Sequence, residues 1–462
     1  MAGLSLVLGL AGCWDTKPNP LYCDGVTLTC QSAGGRPYCD VVRHECEATP
    51  PDGSVGDLAG VDSAAGCADG SACTSADKPV CGASGACVEC ASNVDCAAQG
   101  KSCDPGTFTC VACNANADCS SGACRADHVC AAASDIVYVD NKNGACTGTS
   151  HAGTSADPYC QVGDAFAATG STIVVAGSTK NYESIALSSA TTKAVVGPGR
   201  DTTPTATFFT DAKPGLAVTL SSGAADVSAT GIVLTGSSSG AGAPGLSGLA
   251  SAGATARLTL TRSLITSSGG DGVDATGCAV TLDANEITSN HGGGIKLAGG
   301  TYTVTNNIIA ANGNVTTGTV PGFVAATDAA AAGAGFAFNT VAKNLVSGGA
   351  GGIDCSLASH AITASIVTGN TTASATQFSG ACAFTNVVAG SSEGSMATGL
   401  TRLDPAYVST SNFRLDMTAG APATANNQCC VDQLTSGGTD HDVDSKARPV
   451  RAKWDLGAFE AP

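Results

Sequence analysis

Residues of one kind return every 22 positions through the middle of this chain. Leu260, Leu282 and Val304 form one such set, Ile265, Ile287 and Ile309 another, and Val273 and Ile295 keep the same interval. Asn285 and Asn307 recur in step with them, as do Asn290 and Asn312. This pattern describes a chain that climbs one coil per repeat. Each coil carries three short strands, and like residues stack at about 4.8 Å to make parallel sheets in an all-β architecture. Stacked Ile, Val and Leu fill the interior. Stacked asparagines form side-chain ladders at the bends, where their tolerance of left-handed backbone is expected to help. The Gly-rich turns Ser268-Gly269-Gly270 and Gly292-Gly293-Gly294 fit the same bends. About ten coils are expected, a rod of roughly 50 Å. The period slips at 237–247 and 315–332, low-complexity stretches expected to project as loops.

Composition agrees with so narrow an interior. Of 462 residues only 13% are charged and 4% aromatic, while glycine reaches 60, which argues against a core of thick amphipathic helices. The formal net charge of -17 repels phosphate backbones, so nucleic acid is excluded as an expected partner.

The 24 cysteines are concentrated at one end. Residues 2–12 form an apolar run closing on Leu10-Ala11-Gly12-Cys13, which resembles a bacterial lipobox. That resemblance implies a signal peptide over 1–12 and a lipid on Cys13, although no Lys or Arg precedes the run. Two or three acyl chains, at about 0.8 kcal/mol per buried methylene, hold a protein stably to a membrane. Export also places the chain where disulfides persist.

Four-cysteine groups follow. Cys23, Cys30, Cys39 and Cys46 make the first, giving an anchor-and-module segment over 13–46, and an acidic linker is expected over 47–66. Three groups then run almost end to end over 67–130: Cys67, Cys73, Cys81, Cys87; Cys90, Cys96, Cys103, Cys110; and Cys113, Cys119, Cys124, Cys130. The text of 90–96 is echoed at 113–119, so these are repeats of about 23 residues. Units so small need disulfides, each contributing about 2–4 kcal/mol, and four cysteines leave three connectivities open. Cys87/Cys90 and Cys110/Cys113 have zinc-ligand spacing, but they sit at module junctions and an exported setting favours disulfides. The modules read as a semi-rigid spacer.

From residue 135 to 462 the chain resembles bacterial right-handed parallel β-helix proteins of the pectate-lyase-like kind. Gly153 to Gln161 leads into a short helical pattern at 162–168, then Thr172-Ile173-Val174-Val175 and Tyr182-Glu183-Ser184-Ile185. In those families this order implies an N-terminal cap followed by the first coils. At the far end, Asp404-Pro405, Phe413-Arg414-Leu415, Gly420-Ala421-Pro422-Ala423, Arg448-Pro449 and Asp455-Leu456-Gly457-Ala458-Phe459-Glu460 resemble the closing region of choice-of-anchor Q domain proteins. That family implies surface attachment and leaves activity unassigned.

Lyases and hydrolases on coils of this type need clustered carboxylates, and acids do not stack from coil to coil here. One coil on from Asp271 stands Gly293, from Asp274 Lys296, and from Asp283 Thr305. Asp271, Asp274, His291 and Lys296 are the set that could meet on one surface, and they are the catalytic candidates. The alternating acids Asp440, Asp442 and Asp444 are the candidate calcium site, making Ca the candidate cofactor. Cys146 with Cys160 and Cys355 with Cys382 are the expected further pairs, while Cys278 reads as a buried core thiol. Cysteine catalysis needs a partner histidine, and no spacing nominates one. The expectation is therefore a lipid-anchored protein of the cell envelope, at the outer membrane or cell surface. Its β-helix would bind a polysaccharide or envelope protein without catalysis. A polysaccharide lyase or glycoside hydrolase and a purely structural rod are the alternatives.

Overall fold

A computed structural model describes residues 73–81, 87–104, 108–142, 151–237, 242–314, 316, 318–326, 335–357, 359–371, 376–390, 398–409, 412–415, 430, 433–434, 441–444, 446, 448 and 455–459, with the backbone of Tyr38–Asp40 and Glu45–Glu47. The chain divides into two compact units, Met1–Ala65 and Gly66–Pro462. In the first, Tyr38–Asp40 pairs antiparallel with Glu45–Glu47, setting Cys39 opposite Cys46. The signal segment, Cys13, Cys23 and Cys30 lie outside the described residues, as does the linker beyond Glu47.

The second unit is a right-handed parallel β-helix with disulfide-rich modules before it. Three parallel sheets run its length, with ten, nine and eight strands among the described residues. We call them sheets I, II and III. One coil shows the plan: Asp271–Thr276 belongs to sheet III, Ala279–Asp283 to sheet I and Glu286–Thr288 to sheet II. The 22-residue period is the register itself. Leu260 pairs with Leu282 and Leu282 with Val304 in sheet I, Ile265, Ile287 and Ile309 align in sheet II, and Val273 meets Ile295 in sheet III. All eight side chains are buried in one continuous core. The helix Val162–Ala167 caps its lower end, placing Val162 and Ala165 in that core.

Two polar columns hold the bends on either side of sheet II. The first runs Ser263, Asn285, Asn307, Asn339, Ser365, and each backbone N–H donates to the next side-chain oxygen at 2.9–3.2 Å. The second runs Ser268, Asn290, Asn312, Asn344, Asn370 and ends on Gln377. The ladder asparagines do not themselves adopt the left-handed conformation expected of them. The residue before each one does: Ala284, Ser289, Asn306, Ala311, Phe338 and Lys343 have φ between 54° and 59°. The asparagine amide then satisfies the carbonyls that this reversal would strand, as where Asn307 Nδ2 donates to Leu282 and Thr305.

A glycine column accompanies the second ladder. Gly245, Gly272, Gly294, Gly322 and Gly352 each precede the first inward residue of a sheet III strand. A Cβ on Gly294 would lie 2.2 Å from the Gly322 carbonyl oxygen and 2.7 Å from Ile309 Cγ2. There is no room for one.

The stretches expected to be loops are only partly so. Leu246–Ala250 and Phe323–Ala325 are sheet III strands, with Leu246 aligned on Leu216 and Phe323 on Ile295. Single apolar residues recruit these segments into the stack despite their low-complexity surroundings.

The two four-cysteine modules described in full are disulfide-bonded first to third and second to fourth. Cys90–Cys103 with Cys96–Cys110, and Cys113–Cys124 with Cys119–Cys130, show the full pattern, and Cys73–Cys87 continues it. The echoed text has one job in both copies. Asn93 and Asn116 accept from the third cysteine's N–H, while Asp95 and Asp118 each accept two backbone N–H groups of their own turn. The last module is not a free spacer. Its Ala123 and Ala131 pack on Ile136, and Asn116 Nδ2 donates to the Gly197 carbonyl. Cys355–Cys382 forms as expected and Cys278 is a buried free thiol. Cys160 is disulfide-bonded, and Cys146, its expected partner, lies outside the described residues.

Beyond Leu400–Arg402 the chain stops coiling. It returns along the outside of sheet II as a strap whose Phe413, Val443 and Ala458 cover Ile308, Ala310 and Ala342. Leu415, Leu456 and Phe459 cover Phe338, Ala364 and Ile366. Among the described residues, no helix is long and apolar enough to cross a membrane.

Candidate functional site

The register brings three of the four catalytic candidates together on sheet III. Asp271 lies opposite Gly293 and Asp274 opposite Lys296, whose Nζ reaches Asp274 Oδ2 at 3.3 Å. Glycine at 292 leaves space for the Asp271 carboxylate, since a Cβ there would fall 2.6 Å from its Oδ1. Burial, then the like charge of Asp274, pushes Asp271 up to about 6, with Lys296 opposing. His291 turns elsewhere: its Nε2 accepts from Asn314 Nδ2 at 2.9 Å. The cluster thus offers one carboxyl able to hold a proton in mild acid and one carboxylate already paired with its cation.

Of the acidic run at 440–444, the described carboxylates Asp442 and Asp444 turn to different partners. Asp440 lies outside the described residues. Asp442 is fully buried, and its Oδ1 accepts from the Asp444 and Lys446 backbones at 2.8 Å each. Asp444 pairs with Arg414, whose Nε donates at 2.8 Å, and with Arg200 at 3.5 Å. Burial alone would raise Asp444, but Arg414 foremost, with Arg200 and Lys446, holds it below the usual carboxylate range. The intervening His441 bonds Asp283 at 2.7 Å. Extended backbone would alternate these acids toward one ion. Here the segment is a turn, and Asp442 is spent capping it.

The outer face of sheet I carries a feature the apolar and asparagine periods did not reveal. Ser228, Thr259, Thr281 and Thr303 stand in register as one half-buried row of hydroxyls. Thr230, Thr261, Asp283 and Thr305 make a parallel second row. The threonines keep the same 22-residue interval, so the signal was present in the sequence. At the lower end of these rows the last module overhangs the sheet and closes a groove of about 360 Å³. Arg125, Asp127, Thr192, Asp226 and Arg257 line it beside Ser228 and Thr259. A larger hollow of about 780 Å³ lies where the module, the Gly197–Gly199 bend and the strap meet. Its charged lining is largely committed to structure. Arg200 donates to the Ala284 and Val443 carbonyls, and Arg262 to that of Asn114.

No curated protein and no solved structure matches the chain. The central coils, residues 218–391, match the protein family described as the right handed beta helix region, which is the architecture that the three parallel sheets display.

Proposed function

We propose that this is a lipid-anchored protein of the bacterial cell envelope whose β-helix binds a polymeric glycan along the outer face of sheet I without cleaving it. The observation that supports the reading is the half-buried hydroxyl row Ser228, Thr259, Thr281 and Thr303. It repeats at the spacing of the coils and presents donors and acceptors to a chain molecule laid across it. The groove under the last module gives such a polymer an end stop with charges of both signs. Anchoring at Cys13 would hold this face at the membrane or cell surface.

The raised pKa of Asp271 favours a second reading, a glycan-cleaving enzyme using that carboxyl as general acid. One experiment separates the two. The detergent-solubilised full chain is run through gels containing individual polysaccharides while new reducing ends are followed. Retardation by one polymer without new ends is the expected result. Replacing Thr259, Thr281 and Thr303 by valine should weaken binding about fivefold or more, the equivalent of losing roughly 1 kcal/mol of hydrogen bonding. New reducing ends that vanish in Asp271→Ala would make the protein an enzyme.

A further inference from the structure

The hydroxyl row on sheet I has a closed end. Below Ser228 it continues through Ala194 and Thr172 to Ile136, one residue per strand. Ile136 packs against Ala123 and Ala131 of the last module. Thr172 is wholly buried, and its Oγ1 has no partner among the described residues. The open part of the row therefore stops at the groove of about 360 Å³ that the module closes. A polymer lying on the row can go no further, so what enters the groove is its last residue.

The charges in that groove divide into committed and free. Arg125 and Asp127 are paired with one another, Arg125 Nε donating at 3.1 Å. Lys193 turns its Nζ away to the carbonyls of Ala168, at 2.6 Å, and Gly170. Asp226 and Arg257 are different. They stand in register on neighbouring strands, with Thr192 one strand below Asp226, and both are exposed. Neither has a hydrogen-bond or salt-bridge partner among the described residues. An acidic ligand would meet the carboxylates of Asp226 and Asp127 there, and a basic one the guanidiniums of Arg257 and Arg125. A neutral ligand that both donates and accepts meets neither repulsion. Two adjacent sugar hydroxyls are such a ligand: each can donate to an oxygen of Asp226 and accept from the fork of Arg257, and hydrogen bonds to charged groups are the stronger kind.

We propose, on the reading of this face as glycan-binding, that the groove is a terminal subsite in which Asp226 and Arg257 hold adjacent hydroxyls at the non-reducing end of a neutral glycan. The non-reducing residue keeps a hydroxyl that every internal residue spends on its linkage. In a chain joined through ring hydroxyls it thus presents at least one more adjacent pair than the interior does. The extra hydroxyl of the reducing residue has no fixed direction, because that ring opens and closes.

The detergent-solubilised full chain is titrated by calorimetry with linear malto-, laminari- and xylo-oligosaccharides, each from the hexamer to longer chains. Oligogalacturonate is the acidic probe and chitosan oligomer the basic one. A neutral series should bind at one protein per chain whatever the chain length, and borohydride reduction of the reducing end should leave its affinity unchanged. Asp226→Asn and Arg257→Gln should each weaken binding about tenfold, the loss of a charge-assisted hydrogen bond. Their melting curves should match the parent's, since neither side chain is partnered within the protein. If one variant fails to fold, the other decides. A protein count that rises with chain length, affinity lost on reduction, tighter binding of galacturonate or chitosan, or parental affinity in both variants would overturn the terminal subsite and leave a glycan-binding face. Binding by none of the series would overturn that face, and the subsite with it.

Discussion

At Asp271 the folded chain keeps a carboxyl where burial and Asp274 disfavour its charge, so its value rises from 3.8 to about 6. Between roughly pH 4 and 6 the native protein therefore holds a proton that the unfolded chain has released, and stability falls as pH rises through that window. Above it the cost stays. Asp271→Asn should accordingly stabilise the protein at pH 7.5 by about 1–2 kcal/mol and change little at pH 4, read from urea unfolding at both values. Destabilisation at pH 7.5 would mean that the carboxylate has an unrecognised partner. The register of 22 made Asp271, Asp274 and Lys296 legible as neighbours from sequence. It did not say where His291 would turn, because that depends on Asn314 in the next coil's bend.

Columns of like residues, rather than single strands, are the working elements of this fold. The Asn307 side chain makes five hydrogen bonds: its Nδ2 donates to Leu282, Thr305 and Asn339, and its Oδ1 accepts twice from Asn285. Asn307→Ala removes them inside a dry bend and should cost about 2–4 kcal/mol in urea or thermal unfolding. A cost under about 0.5 kcal/mol, the level of an ordinary surface substitution, would count against the ladder as a structural device. The column was read from sequence only as far as Asn312, where the interval changes from 22. Asn339 and Asn344 still stand five apart, as Asn285 and Asn290 do, so the local spacing persists where the long one is lost. Insertions lengthen the outward turns without altering the bend. The glycine column was missed because its members differ in interval from coil to coil and are unified only by what a Cβ would strike.

Across the whole second unit, contacts far apart in sequence close the stack. Arg200, 5% exposed, donates to the carbonyls of Ala284 at 2.6 Å and Val443 at 2.7 Å and lies near Glu286 and Asp444. Arg200→Ala strands both carbonyls and leaves Glu286 and Asp444 to Arg414 alone, and should cost about 2–4 kcal/mol, with the strap becoming the first site of proteolysis. Retention of parental stability and protease resistance would show the strap to be held by its apolar contacts alone. None of this was legible, since the strap has no period and meets coils up to 243 residues away.

A stack of coils touching only their neighbours behaves as a linear array, able to fray from either end while the middle stays folded. The strap changes that connectivity. It leaves the upper end, bonds Ala364 and Thr340, and accepts from Arg200 at the Val443 carbonyl, so opening the last coils tears contacts in the early ones. Fraying is thereby converted into a cooperative event. The unit should unfold in a single transition, as a closed ring does, where an open ladder would come apart rung by rung.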